Sequence, residues 1–380
     1  MRKLKKIAYL LLACLFLISS FSITASASED ESKANEIYYP QSYSGYMYPV
    51  HTGMAKWAKI IDHQDMVNAC QIPEDVLENM STADLAQTVI SYPLSIDMFA
   101  YSTYSEGFEV VSEKFNGLKE LKNRSDAATE LLKQYLVLQN TVQSSESNSE
   151  QGTKADRRIV NLMTTELLLS QPVFQDQLTE DEGKTFTVNK EKQQSKPSDN
   201  ILAAEPVYEA EVLGVTIYYY LRSVNTPNGV PVEVFEAITD FNSEKVGAIN
   251  RDYDTVYTSA TRLRDATAKY NCHSYAWYNS SSSKYWMNNP FEYYGGSNPS
   301  YSTITVPVSN AKVAYWTTSH NPTNSHSGIV TSVSSGSSTK YYVDKITVKS
   351  KWGGAGMYQH PGVHCPYWYD DTSIRTRYYN

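Results

Sequence analysis

The last third of the chain is organised around one octapeptide, Tyr270-Asn271-Cys272-His273-Ser274-Tyr275-Ala276-Trp277. Its small residues predict that a helix begins at Cys272. The unpaired N–H groups and the positive dipole end of a first helical turn stabilise a thiolate, and they can lower the pKa of a thiol from about 8.5 toward neutrality. Cys272 is therefore a candidate nucleophile.

The segments that follow predict a partner for this thiol. Residues 313–316 predict a strand, a second strand begins at His326 and runs to Val333, and a third runs from about Thr339 through Lys351. A cysteine at a helix start and a histidine at a strand start are the two parts of a thiol–imidazole pair. In such a pair the imidazole takes the thiol proton and later protonates the leaving amine.

These residues resemble the NlpC/P60 and CHAP group of papain-like cysteine peptidases and amidases, and the resemblance covers residues 262–367. The group usually has Asp-Cys-Ser-Gly at the nucleophile and Gly-Asp ahead of the middle strand, whereas this chain has Asn-Cys-His-Ser and Asn310-Ala311-Lys312. The resemblance implies that Cys272 is the nucleophile and His326 the base. It also implies that the backbone N–H of Cys272, with a nearby side chain, forms the oxyanion hole.

The residue that would orient the imidazole is left open by the sequence. A short turn that pairs Val333 with Thr339 would place Asp344 and Ser350 on the same face as His326. A slip of one residue would instead bring up Lys345, Lys349 and Lys351, which are poor partners for a histidine that must accept a proton. His360 is a third candidate, because papain-like sites tolerate histidine in the orienting role.

Other interpretations of Cys272 compete with catalysis. It could be a buried structural cysteine, or it could form a disulfide with Cys365 or Cys70. Cys272 and His273 could also bind zinc with His364 and Cys365, although adjacent ligands lack the usual spacing of structural zinc sites. We predict no cofactor and no metal, since neither a phosphate loop nor a dinucleotide fingerprint is visible.

The N-terminus has the pattern of a secretory signal peptide over residues 1–27. A basic start precedes the apolar residues 7–21, and Ala25-Ser26-Ala27 follows. A lipoprotein signal at Cys14 is disfavoured, because the apolar run continues beyond that cysteine. We therefore expect a protein that begins near Ser28, is secreted and extracellular or associated with the cell wall, and has no stable membrane insertion after cleavage. The sparse use of cysteine fits a Gram-positive exterior.

The charge is divided unevenly along the chain. The formal net charge is −8, and four basic residues lie within the signal, so the remainder carries −12. Residues 259–380 contain eleven Lys and Arg against five Asp and Glu, a net charge of +6, and residues 28–258 therefore carry −18. A basic module either meets an anionic surface such as a bacterial wall or docks on the acidic half of its own chain, unless the two charges belong to unrelated solvated faces.

The fold class predicted from these patterns is α+β. We expect an acidic helical domain at 28–183, a linker at 184–204 in which residues 185–188 could form a short strand, and a β-hairpin connector at 205–258. A basic papain-like domain at 259–380 follows, with a small antiparallel sheet packed on the helix that bears the cysteine. Helical spacing predicts that the following side chains are core: Phe108, Val111, Phe115, Leu118, Leu131, Leu132, Tyr135 and Leu138.

The function that we predict is amide hydrolysis by a secreted bacterial thiol hydrolase, through a Cys–His acyl-enzyme. The expected substrate is cell-wall peptide or another extracellular peptide, and nucleic acid is not an expected partner. A thiol acyltransferase or a protein-directed peptidase could use the same residues. A protein of another class, a non-catalytic surface or wall-binding protein on a decayed peptidase fold, is the main alternative.

Overall fold

The computed structural model describes residues 43–146, 153–191, 207–281, 284–317, 326–370 and 374–380. The predicted signal peptide lies outside these ranges. The α-helices within them are α1 His63–Ala69, α2 Glu74–Asn79, α3 Thr82–Ile90, α4 Tyr104–Lys114, α5 Asn116–Leu121, α6 Ala127–Glu146, α7 Thr153–Leu169, α8 Pro172–Gln175, α9 Glu180–Glu191 and α10 Ser243–Val256.

The strands form two antiparallel sheets. Their bounds are β1 Val207–Val212, β2 Val215–Asn225, β3 Pro231–Ala237, β4 Thr261–Arg264, β5 Tyr285–Trp286, β6 Thr303–Ile304, β7 Lys312–Thr317, β8 His326–Val333, β9 Ile346–Lys351, β10 Met357–Pro361 and β11 Ile374–Tyr379. The four-stranded sheet has the order β1-β2-β3-β5, and the seven-stranded sheet has the order β4-β10-β9-β8-β7-β11-β6. The predicted α+β class is confirmed.

The predicted helical core is also confirmed, since all eight apolar residues of the two helical stripes are buried. They contribute to a hydrophobic cluster that extends from Tyr48 through the first helices to Tyr358 and Tyr378 in the seven-stranded sheet. The helices and the large sheet therefore share one apolar interior. Among the described residues, no helix combines the length and the apolar character that crossing a membrane requires.

The β-hairpin prediction is confirmed, but the hairpin is one of two. In the second hairpin, Val224 of β2 pairs with Val232 of β3 across a turn that contains Gly229. The residues that precede Val224 form the first hairpin. Leu213 and Gly214 adopt positive φ angles of 50° and 68°, and they form a two-residue turn that separates β1 from β2.

The short strand suggested at residues 185–188 is wrong, because these residues lie within α9. The helix begins with a reciprocal cap: the Thr179 hydroxyl accepts the N–H of Glu182 at 3.3 Å, and the Glu182 carboxylate accepts the N–H of Thr179 at 2.9 Å. The Phe186 ring is buried and packs edge-on against Tyr135. Capping and burial thus outweigh the strand preference of the threonine, phenylalanine and valine side chains. The linker residues beyond 191 lie outside the described ranges.

A buried carboxylate joins the N-terminal helices to the C-terminal part of the chain. Oδ2 of Asp97 lies 2.8 Å from Nε2 of His63, and its Oδ1 accepts the Tyr257 hydroxyl at 2.6 Å. Nδ1 of His63 donates to the carbonyl of Trp368 at 2.6 Å. The side chains of His63, Asp97 and Tyr257 are nearly inaccessible to water. Each therefore supplies a hydrogen-bond partner to a buried polar group that water cannot reach. Nearby, Lys340 forms an ion pair with Asp62 at 2.7 Å, and this basic residue therefore docks on the acidic half of the chain.

We predict that Asp97→Ala lowers the free energy of unfolding by about 3–5 kcal/mol, because it leaves the buried polar groups of His63 and Tyr257 without their acceptor. Urea unfolding followed by circular dichroism measures this change. Glu233→Ala, at an exposed position of β3, is the matched control and should change stability by less than about 0.5 kcal/mol. Equal effects of the two substitutions would contradict a structural role for Asp97.

Candidate active site

The segment that carries Cys272 is held at its start by Asn271. Residues 272 and 273 begin a short helix that continues as the π-helical turn Ser274–Tyr278. The side-chain oxygen of Asn271 accepts the N–H of Ser274 at 3.2 Å, as an N-cap residue does, and its amide donates to the carbonyl of Met287 at 2.7 Å. The predicted helix start at Cys272 is confirmed. Asn271, which departs from the pattern of the NlpC/P60 group, supplies the cap.

The side chains of this helix bind the strand that begins with His326. The Ser327 hydroxyl accepts the indole N–H of Trp277 at 2.7 Å and lies 2.9 Å from Nδ1 of His273. Burial lowers the pKa of His273 to about 3, so that its ring is neutral at physiological pH. His273 is therefore a packed, hydrogen-bonded contact between helix and strand.

The Cys272 sulfur lies at the start of β8. It accepts hydrogen bonds from the backbone N–H groups of Ser327 and His273, and the side chain is 3 % exposed. Burial raises the pKa of the Cys272 thiol to about 12, and the negative charge of Glu106 adds to the increase, whereas the two N–H groups and Lys351 oppose it. The sequence led us to expect a lowered pKa at a helix start. This was wrong for the thiol as it is packed here, because desolvation of the thiolate outweighs the stabilising groups.

His326 is completely buried at the first position of β8. It pairs with Tyr315 of β7, and its ring stacks on that of Tyr367 with the centroids 3.6 Å apart. Burial, together with repulsion from His360 and His273, keeps the pKa of His326 well below 6.5. The imidazole is therefore neutral at physiological pH and has the protonation state that a general base requires.

The register between β8 and β9 differs from the one that we predicted. Val333 pairs with Ile346 and not with Thr339, and β9 begins at Ile346. Residues 334–345 form a longer loop, in which the Ser338 hydroxyl accepts the N–H groups of Lys340 and Tyr342, both at 3.0 Å. The polar residues 334–338, which suggested a tight turn, are part of this loop, and the Ser338 side chain stabilises it by binding its backbone.

Asp344 consequently lies far from the predicted base. It belongs to a 3₁₀ turn, accepts the Ser338 hydroxyl and lies 3.5 Å from Lys345. This loop adjoins the Val333 end of β8, and Val333 lies seven positions along the strand from His326, which is roughly 20 Å. The expectation that Asp344 shares a face with His326 at short range is wrong, because it depended on the incorrect register.

Ser350 and His360, the other two candidates for the orienting role, form a hydrogen bond with each other. The Ser350 hydroxyl lies 2.8 Å from Nε2 of His360, and Nδ1 of His360 donates to the carbonyl of Pro361 at 2.8 Å. The Ser350 hydroxyl in turn accepts the indole N–H of Trp352 at 3.0 Å. Burial lowers the pKa of His360 to about 3. Repulsion between the protonated forms of His360 and His326 contributes to the lowered pKa of His326.

Gly328 explains how β8 and β9 approach each other beside these groups. A Cβ atom at this position would lie 2.5 Å from a methyl group of Val348 and 3.2 Å from the Cβ of Ser350. Any larger residue would push the two strands apart. The glycine in the sequence His326-Ser327-Gly328 is thus required by the packing of the strands.

Several residues around the sulfur were missed or dismissed by sequence reasoning. Lys351 was set aside as a poor partner for His326, but its charge acts on Cys272. Glu106 of α4 and the Tyr367 ring come from distant parts of the chain that carry no local signal of a site. The hydrogen bonds of Ser327 with His273 and Trp277 could have been predicted only from knowledge of how the cysteine helix packs on β8.

The alternative roles of the cysteines can be compared with their positions. Cys70, Cys272 and Cys365 are free and buried. Within the described ranges no group of three or more His, Cys, Asp and Glu residues is arranged to hold a metal ion. His364, a proposed zinc ligand, instead has Nδ1 2.8 Å from the carbonyl of Ile61.

Comparisons of this chain with known proteins identify no relative. No family model, no curated protein and no solved structure matches the chain. The resemblance to the NlpC/P60 and CHAP group therefore stays a prediction that rests on the order of Cys272, His326 and the strands between them.

We predict that iodoacetamide labels Cys272 of the folded protein slowly at pH 7. The thiolate is the reactive form, and a pKa of about 12 leaves roughly one three-thousandth of the thiolate that a free cysteine with a pKa of about 8.5 would have. The labelling rate should rise about tenfold with each pH unit above 7. Peptide mass spectrometry over a pH series measures the rate, and the same series in denaturant is the control. Rapid labelling at mildly acidic pH would contradict the packing described for the sulfur.

Proposed function

We propose that this chain is a secreted thiol hydrolase that cleaves an amide bond with Cys272 as nucleophile and His326 as general base. One contact carries the proposal: the Cys272 sulfur accepts the backbone N–H of Ser327, the residue that directly follows His326. A nucleophile candidate at a helix start is thereby held at the first residues of the strand that begins with the base candidate. Papain-like chemistry would further require the sulfur and the imidazole to come within hydrogen-bond reach of each other.

The protonation states require the proton to move during the attack itself, because a neutral thiol and a neutral imidazole form no ion pair beforehand. Burial raises the pKa of Cys272 and lowers that of His326, so both groups are neutral before the reaction. The thiol proton would pass to the imidazole as the sulfur bonds to the amide carbon. The imidazolium would then protonate the leaving amine, which gives a thioester on Cys272. A water molecule, deprotonated by the same imidazole, would hydrolyse the thioester and release the carboxylic acid.

We further propose that the substrate is peptide of the bacterial cell wall. The signal-like N-terminus and the net charge of +6 on residues 259–380 support an anionic extracellular surface as the place of action. Because Cys272 is 3 % exposed, an amide can reach the sulfur only if the surrounding residues separate. The carboxylate of Glu106 and the phenol of Tyr367 both interact electrostatically with the Cys272 sulfur. The segments that carry these two residues are the ones that would have to move.

The deciding experiment compares purified cell wall incubated with wild type and with Cys272→Ala. Wild type should release new amine termini, which dinitrophenylation and mass spectrometry detect, and Cys272→Ala should release none. Cys70→Ala is the matched control, since Cys70 is also a free buried thiol but belongs to the helical part. Equal release by wild type and Cys272→Ala, or no release by wild type from wall or from extracellular peptides, would overturn the proposal.

We predict that the orienting role falls to the Ser350–His360 pair. Both Ser350→Ala and His360→Ala should lower kcat by at least about tenfold, because the network that acts on His326 loses its hydrogen bond. Asp344→Ala is the matched control and should leave kcat unchanged, since Asp344 binds Ser338 in the loop before β9. A loss of activity in Asp344→Ala with none in the other two variants would contradict this assignment.

A non-catalytic wall-binding protein is the second candidate function. The burial of Cys272 favours it, because a structural cysteine is also buried, protonated and inert. Under this alternative Cys272→Ala would bind the wall as wild type does, and neither protein would release amine termini. Transfer of the acyl group to an added amine, in place of release of an acid, would identify a thiol acyltransferase that uses the same residues.

A further inference from the structure

The Tyr367 ring lies directly on the imidazole of His326. The two ring centroids are 3.6 Å apart and the ring planes differ by 5°, so the rings are stacked face to face. Both side chains are buried. The Tyr315 ring approaches the same imidazole from β7, with a centroid distance of 5.4 Å. The plane of the imidazole is therefore set by aromatic neighbours, of which Tyr367 makes the closest parallel contact.

Tyr367 belongs to three consecutive residues that are hydrogen-bonded to the N-terminal helical part of the chain. Its own hydroxyl donates to the carbonyl of Ala100, which lies between α3 and α4. The carbonyl of Pro366 accepts the Tyr101 hydroxyl at 3.1 Å. The carbonyl of the residue after Tyr367 accepts Nδ1 of His63 at 2.6 Å. The helical part thus fixes both the backbone and the side chain at this position.

The segment 99–101, which supplies two of these contacts, is itself tightly packed. A Cβ atom at Gly353, in the loop after β9, would lie 2.6 Å from a carbonyl oxygen of the segment, so the two backbones are in direct contact. The Tyr101 ring packs against Tyr367 edge to face, with the centroids 5.2 Å apart. The segment also begins two residues after the buried carboxylate of Asp97. It cannot shift without loosening the contact that holds Tyr367.

A stacked tyrosine gives His326 two properties that a general base needs. The last side-chain torsion of histidine has no sharply preferred value, so neighbours must hold the ring with one nitrogen turned toward the thiol. The face of a tyrosine ring also attracts a cation that lies over it. The imidazolium that forms when His326 accepts the proton would therefore be stabilised by the same ring that orients it.

We propose that Tyr367 is a positioning residue for His326, and that the segment 99–101 keeps Tyr367 in place and thereby controls access to the imidazole. This inference rests on the proposed role of His326 as general base. It assigns the N-terminal helical part the task of closing the site. Displacement of the segment 99–101 would release the Tyr367 ring and uncover the imidazole.

The test of access is the rate at which diethylpyrocarbonate modifies His326 in the full-length protein, followed by peptide mass spectrometry. Wild type should react slowly, because the ring is covered. Tyr101→Phe keeps the aromatic ring but removes the hydrogen bond to Pro366, and it should raise the rate about fivefold. Tyr208→Phe, at an exposed position of β1, is the matched control and should react at the wild-type rate. A Tyr101→Phe variant that also reacts at the wild-type rate would contradict control by the segment 99–101.

Iodoacetamide labelling of Cys70 distinguishes opening at the site from a general loss of stability. Cys70 is a buried free thiol of the helical part, away from His326 in the sequence, and it reports wider unfolding. Local release of Tyr367 predicts faster modification of His326 in Tyr101→Phe with unchanged labelling of Cys70. Parallel increases at both residues would show that the variant only destabilises the fold, and they would overturn the inference.

Nuclear magnetic resonance tests the positioning role separately. The ring current of Tyr367 should shift the imidazole C–H proton signals of His326 upfield in wild type, and His326→Gln assigns these signals by their loss. Tyr367→Phe keeps the stack and should retain the shift, whereas Tyr367→Leu should lose it and show broadened or doubled signals, since the ring is no longer held in one orientation.

An unchanged single signal in Tyr367→Leu would overturn the positioning role. If Tyr367→Leu does not fold, absence of the upfield shift in wild type, or its loss in Tyr367→Phe, would overturn it equally. None of these measurements uses hydrolysis. A protein that releases nothing from cell wall but shows the stack and the controlled access would therefore contradict the proposed function alone.

Discussion

The architecture depends on one buried carboxylate. Asp97 binds His63 of α1 and Tyr257, the residue after α10. The other ring nitrogen of His63 donates a hydrogen bond to the carbonyl of Trp368 near the C-terminus. Four parts of the chain, around residues 63, 97, 257 and 368, thereby meet at buried groups that hydrogen-bond to one another. A carboxylate in an apolar interior is stable only when its partners are fixed, so this cluster specifies how the helical part sits on the seven-stranded sheet.

The candidate site is a consequence of that packing. The charge of Glu106 acts on Cys272, and the Tyr367 ring stacks on His326, because the helices and the C-terminal segment pack into the same apolar interior as the sheet. The side chains of Cys272 and His326 are consequently shielded from water. Desolvation raises the pKa of the thiol and lowers that of the imidazole, so both are neutral at physiological pH. Under the proposed function, the proton would have to pass from sulfur to imidazole during the attack, in contrast to the preformed thiolate–imidazolium pair that a solvated helix start would favour.

Local signals in the sequence predicted the local structure well. The helix start at Cys272, the strands that begin near 313 and 326, the second hairpin and the apolar stripes of the helices are all confirmed. The register of β9 was not predictable, because Tyr341 and Tyr342 adopt positive φ angles in the preceding loop, which no tyrosine signals. The burial of Lys351 was not predictable for a related reason: a lysine at the end of a strand suggests a solvated end, and only the tertiary structure brings together the carbonyls of Thr267, Gly353 and Ala355 that accept its N–H groups.

The burial of the thiols has a consequence for biogenesis. Cys70, Cys272 and Cys365 are free and shielded, and burial raises the pKa of each, so the folded protein resists oxidation at all three positions. An unfolded chain has no such protection, and its thiols would be exposed to whatever oxidants are present outside the membrane. We propose that this chain is secreted, and any molecule that is still unfolded outside the membrane would fold in competition with sulfenic acid formation and disulfide exchange. The speed of folding would then set the fraction of molecules that retain a usable sulfur.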